Sequence, residues 1–115
     1  MLEKPRGGRG REGIDSPMSV VLWMFEAKAG AEEDFARVFG TEGDWARLFR
    51  RSPGYVTTEL IRDVDVARRF ITIDRWESRD AFERFKAAAQ PEYEALDARC
   101  KQLTRDERLI GHFGT

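Results

Sequence analysis

The chain is poor in the residues on which many chemistries depend. It holds one cysteine, Cys100, and one histidine, His112. A single cysteine excludes an internal disulfide and a cysteine-based metal site, so a metal centre would have to be built mainly of carboxylates. Long apolar runs are also missing. The longest, Val20 to Phe25, is far too short to span a membrane. No basic-then-apolar signal segment opens the sequence, and the expected compartment is the cytoplasm. Nor does one sign of charge dominate: 20 basic and 21 acidic residues, mixed along the chain, leave a net charge of −1. A nucleic-acid binder usually carries a one-sign stripe. The expected partner is therefore a small molecule or a protein, with neither nucleic acid nor membrane involved. Sixteen arginines against four lysines point to a GC-rich bacterial gene.

What remains is enough for one domain. The first 17 residues, MLEKPRGGRGREGIDSP, hold four of the ten glycines, two of the four prolines and almost nothing apolar. Such a segment cannot bury enough surface to offset the entropy of ordering, so residues 1–17 are expected to be a disordered leader and residues 18–115 the folded domain.

Six elements follow in the folded part. SVVLWMFEAK (19–28) is rich in β-branched and aromatic residues and reads as a strand that stops at Gly30. AEEDFARVFG opens a helix with acids in its first turn, where the helix dipole favours them. After Gly40 and Gly43 the helical pattern resumes in DWARLFRR and ends before Pro53-Gly54. GYVTTELIRD and RFITIDRW read as a hairpin around the turn VDVA. Ser78 is a cap for the next helix, whose stripe of Phe82, Phe85, Ala89, Tyr93, Leu96, Cys100 and Leu103 keeps to one face, with Pro91 predicting a kink or two abutting helices. RLIGHF (108–113) is the fourth strand. The order βαββαβ predicts an α+β, ferredoxin-like fold: a four-stranded antiparallel sheet with the helices on one face. Trp76, where the third strand runs into the second helix, is expected to wedge the two together.

The strands predict a partner as well. A half-exposed antiparallel strand alternates apolar and polar residues. The first strand instead carries Val20, Leu22 and Met24 on one face and Val21, Trp23 and Phe25 on the other. The helices can cover one face only, so the second calls for the same face of another copy, a homodimer.

The strand end DRWES followed by RDAFERF, the SPGYVTTEL opening of the second strand and the EAKAGAEEDF turn together resemble the antibiotic biosynthesis monooxygenase-type domains of the dimeric α+β barrel superfamily, over residues 18–113. The resemblance implies a dimeric barrel of two such sheets and a set of activities that includes cofactor-independent oxygenation of aromatic polyketides and quinols. Haem degraders in this superfamily carry an asparagine on the first strand, then a tryptophan and a histidine on the second helix. Here the first strand has no asparagine, Phe85 stands at the tryptophan position and no histidine follows.

Cofactor-free oxygenation needs an apolar pocket, an acceptor for a phenol or enol proton, and donors for the resulting anion. Asp74 and Glu59 are the acceptors in reach of the strands. Arg62, Arg75 and Tyr55 are the donors, and Trp23, Trp45 and Trp76 the walls. Asp74 and Arg75 are adjacent on a strand and point to opposite faces, so they cannot act on one ligand. The plainer reading makes Asp74 the structural partner of an arginine, Arg62 and Arg75 surface charges, and Cys100 a core residue. His112 alone has an unperturbed pKa suited to proton transfer near neutrality. The candidate catalytic residues are thus Asp74 and His112. The candidate substrate-binding residues are Trp23, Tyr55, Trp76, Phe85 and Tyr93. No cofactor or metal is expected. The alternative to an oxygenase is a non-catalytic homodimer that holds a small hydrophobic or aromatic metabolite.

Overall fold

The computed structural model describes residues 18–114, and the leader expected over residues 1–17 lies outside them. Strands β1 (Ser19–Ala27), β2 (Tyr55–Arg62), β3 (Arg69–Trp76) and β4 (Thr104–Gly114) form one antiparallel sheet in the order β2-β3-β1-β4. Helices α1 (Glu32–Phe39) and α2 (Asp44–Phe49) connect β1 to β2; α3 (Arg79–Ala88) and α4 (Gln90–Cys100) connect β3 to β4. This is the expected ferredoxin-like α+β fold.

All four helices pack on one face. Phe25 of β1 and Phe70 of β3 meet Phe35 of α1 at ring-centroid distances of 5.3 and 4.7 Å. Trp76 of β3 meets Phe49 of α2 at 5.6 Å and Phe85 of α3 at 5.3 Å. Period-two alternation brings Phe70, Thr72, Asp74 and Trp76 to this face together, and all four are buried.

Trp76 does hold the β3–α3 join. Its side chain is fully buried. Directly after it, the Glu77 backbone N–H donates to Gly54 O at 2.7 Å. Ser78 Oγ then accepts from the Ala81 backbone N–H at 3.1 Å, the cap its hydroxyl was expected to make. No loop is needed because β2's entrance supplies the closing bond. Gly54 has φ +93°, and a Cβ there would sit 2.5 Å from Ala81 Cβ, so only glycine lets α3 dock this close.

Pro91 marks two abutting helices, one of the two outcomes expected: the chain breaks between Ala88 and Gln90, with Pro91 in the first turn of α4. Proline lacks the N–H an unbroken helix would need, so the two-helix alternative is the one adopted. Two details are corrected. Helix α4 ends at Cys100, so Leu103 lies beyond it. The fourth strand begins at Thr104 and not at Arg108. Its charged first half, TRDE, pairs with β1 through backbone bonds that leave no apolar alternation to read.

The opposite face of the sheet is open. Ile71 and Ile73 of β3 and Leu22 and Met24 of β1 lie on it half-buried. Ile61 and Phe113 there are 50% and 49% exposed.

Candidate active site

The site is set by the β2–β3 ladder. Thr58 pairs with Asp74 in register, so both side chains point to the helix side, and both are buried. Thr58 Oγ1 donates to Asp74 Oδ1 at 2.7 Å. One turn of strand away, the Tyr55 hydroxyl donates to Thr58 Oγ1 at 2.8 Å. Asp74 thus has a threonine partner and takes part in no ion pair among the described residues, which corrects the expectation of an arginine beside it.

Asp74 lies in a cavity between sheet and helices. The space free of protein atoms is about 590 Å³, open solvent at its mouth included. Trp23 and Phe25 of β1, Trp45 of α2 and Tyr93 of α4 form aromatic walls. Thr58, Thr72 and Asp74 line the buried end. Asp97 and Glu107 line it too, with side chains 44% and 33% exposed, and Lys101 bridges them at 3.7 and 3.3 Å. Among the described residues no lysine or arginine belongs to the lining.

Burial raises the Asp74 carboxyl to about 6, and the Thr58 hydrogen bond opposes the rise. Only 8% of the residue is exposed, yet it is one of the lining groups. Its second oxygen accepts no hydrogen bond from the described residues. A carboxyl in that state is ionised at neutral pH and has a free acceptor for a proton. Burial also raises the Tyr93 phenol, aided by Asp97, Glu107 and Asp74, so Tyr93 remains a donor.

The other sequence candidates fall elsewhere. Trp76 and Phe85 are core, and Tyr55 is wedged between the rings of Phe49 and Trp76 with its hydroxyl in the Thr58 chain; none of the three lines the cavity. His112 points to the helix side against Phe82, 5.5 Å between ring centroids, and lies outside the lining. Burial lowers its pKa. Arg75 pairs with Glu59 at 2.8 Å on the open face, and Arg62 Nε donates to Ala67 O at 2.6 Å. The arginines are surface charges. Cys100 is buried as expected, at the cavity edge. The Trp45 N–H eases the burial-raised pKa of its thiol but makes no hydrogen bond of good geometry. Thr58 and Thr72 were not among the sequence candidates. The hairpin register that sets Thr58 against Asp74 was their only signal.

The family model described as antibiotic biosynthesis monooxygenase matches residues 18–99, well over half of the chain. The chain belongs to that family. SnoaB from Streptomyces nogalater, described as a cofactor-independent oxygenase, is 26% identical, with a TM-score of 0.65 over 87% of this chain and 94% of that one. PA3566 from Pseudomonas aeruginosa is 17% identical, with a TM-score of 0.66 over 90% of this chain and 98% of that one. Rv0793 from Mycobacterium tuberculosis is 17% identical, with a TM-score of 0.64 over 85% of this chain and 94% of that one. The last two establish likeness of fold. No curated protein sequence matches the chain. Among the described residues no helix is long and apolar enough to cross a membrane.

Proposed function

We propose that this family member is a cofactor-independent monooxygenase of a small aromatic substrate, a phenol, quinol or polyketide-like ring that ionises readily. The observation that carries the reading is Asp74: a carboxylate at the buried end of an aromatic cavity, its pKa raised by burial to about 6, with a second oxygen that accepts no hydrogen bond from the described residues. The likeness to SnoaB supports the same chemistry.

In this reading the substrate supplies the electrons. Asp74 takes the phenol or enol proton, a step of the kind that contributes about 10²–10⁴-fold in rate. The substrate anion passes one electron to dioxygen, and the resulting radical pair combines to a peroxide. Asp74 returns its proton to this peroxide, and loss of water from the carbon that bears both the hydroperoxide and a hydrogen breaks the O–O bond and leaves one oxygen atom in the product as a ketone or quinone. Trp23, Phe25 and Trp45 hold the ring plane, while the hydroxyls of Tyr93 and Thr72 are the donors available to the anion. Arg62, Arg75 and Glu59 take no part: Arg75 and Glu59 pair on the open face, and Arg62 lies over the Phe70 ring, outside the lining. Oxygen uptake by metal-free protein with a panel of hydroquinones and anthrones tests the proposal. Consumption above background with at least one class is expected; none across the panel overturns it.

The working unit is a homodimer. The open sheet face carries Leu22, Met24, Ile61, Ile71, Ile73 and Phe113, and no helix covers these apolar side chains, an arrangement that soluble monomers tend to avoid. The same face of a second copy covers it with two-fold symmetry.

A second reading has its own observation. Among the described residues the lining holds no cation to stabilise a substrate anion, which suits a protein that binds an aromatic metabolite without turning it over. Mass spectrometry of gently purified protein separates the two: an unaltered stoichiometric ligand favours binding.

A further inference from the structure

We infer that Tyr55 is a positioning residue, acting through Thr58 to fix which oxygen of Asp74 meets the substrate. The inference rests on reading Asp74 as the base of the cavity. It concerns a residue that touches neither the cavity nor Asp74.

Proton counting gives the direction of the chain. A threonine hydroxyl has one proton and two lone pairs, and an ionised carboxylate can only accept. The 2.7 Å contact between Thr58 Oγ1 and Asp74 Oδ1 therefore uses the threonine's proton. The 2.8 Å contact between Tyr55 and Thr58 must then use the proton of the phenol. Burial raises the Tyr55 phenol, so it keeps that proton through the neutral range. With Tyr55 donating, the Thr58 hydroxyl is turned toward Asp74. Oδ1 is occupied, and Oδ2 is the oxygen left for the substrate.

The chain is rigidly held, as a positioning device must be. Thr58 is 2% exposed and paired in the β2–β3 ladder. Its backbone carbonyl accepts from Thr41 Oγ1 at 3.3 Å. The Tyr55 ring lies 5.7 Å from Phe49 and 5.4 Å from Trp76.

No other described group does the same for Asp74. Helix α4 faces it with Tyr93, Asp97 and Cys100, and β4 with Glu107; α1, α2 and β1 offer aromatic rings. On the far side, Tyr55 feels Arg50 and Glu42, which pair with each other at 3.1 Å. Thr58 is thus the one donor that stabilises the ionised form, and Tyr55 strengthens it by polarising its hydroxyl.

Carbon-13 NMR of aspartate-carboxyl-labelled full-length protein across the pH range tests this without any substrate. The Asp74 signal, assigned by its loss in Asp74→Asn, is expected to titrate near 6 in the native protein. Thr58→Val is expected to raise the midpoint by about one pH unit, the effect of one lost hydrogen bond to the charged form. Tyr55→Phe, which keeps the ring, is expected to raise it by less, and Thr58→Ser to restore the native value. An unchanged midpoint in Tyr55→Phe overturns the inference. If Thr58→Val does not fold, Tyr55→Phe and Thr58→Ser still decide. The titration reads the chain whether or not oxygen is consumed, so its failure is distinguishable from failure of the oxygenase reading.

Discussion

Asp74 and His112 stand in one row of the sheet and do not meet, because Val21 of the central strand β1 pairs with both. Two strand spacings put them roughly 10 Å apart. The acid and the imidazole therefore do not form a catalytic pair. His112→Gln is expected to leave oxygen uptake unchanged and to alter acid stability instead. Its folded pKa is lowered by burial, with Arg79 adding to the effect, so its contribution is lost as pH falls below the ordinary histidine value. Thermal melts at pH 5 and pH 8 check this: the variant should lose less on acidification than the native protein.

Asp74 has the opposite linkage. Its folded pKa, about 6, lies above the unfolded value, so the native state binds the proton more tightly and stability falls as pH rises from about 4 through 6. The span corresponds to roughly 3 kcal/mol at neutral pH. Asp74→Asn removes that charge and keeps an oxygen for Thr58 to donate to. It is expected to raise the melting temperature at pH 7.5, with the gain fading toward pH 4. Equal gains at both values would mean that the carboxyl does not titrate in this range.

Trp76→Ala is expected to cost about 3–5 kcal/mol, the range for truncating a fully buried aromatic residue. The ring touches Phe49, Tyr55, Phe82 and Phe85, so the cavity left behind cannot close by moving one neighbour. Urea denaturation measures the loss. A near-neutral result would contradict the packing at the β3–α3 join.

The open face gives a prediction about mass. Light scattering at micromolar concentration is expected to report about twice the 13.3 kDa of one chain. Ile61→Lys, at a half-exposed position on that face, is expected to shift the protein toward monomer while leaving its helical signal intact. A native protein that runs as a clean monomer would contradict the homodimer.

Much of this was legible in the sequence because burial leaves periodic marks. The two-sided apolar pattern of Val20 to Phe25 announced a strand covered on one face and hungry for cover on the other. The stripe from Phe82 to Cys100 announced the helices over it. What the sequence concealed depends on contacts between elements. Thr58 and Asp74 are equally distant from a turn that Asp63 closes by accepting the N–H groups of Asp65 and Val66, but no side-chain pattern reports that register. The first half of β4 was hidden because an edge strand of charged residues is held by backbone bonds. Tyr93 and Trp23 were legible as candidates for the substrate site, and both line the cavity, whereas Trp76 and Phe85, read the same way, are taken up by the core.

The most direct measurement is the pH dependence of oxygen uptake with the best substrate of the panel, in the native protein and in Asp74→Asn. The native rate should rise through pH 6 as Asp74 ionises and then level off, while folded Asp74→Asn should lose about 10²-fold or more at every pH. A folded Asp74→Asn that keeps the native rate and profile would contradict the account.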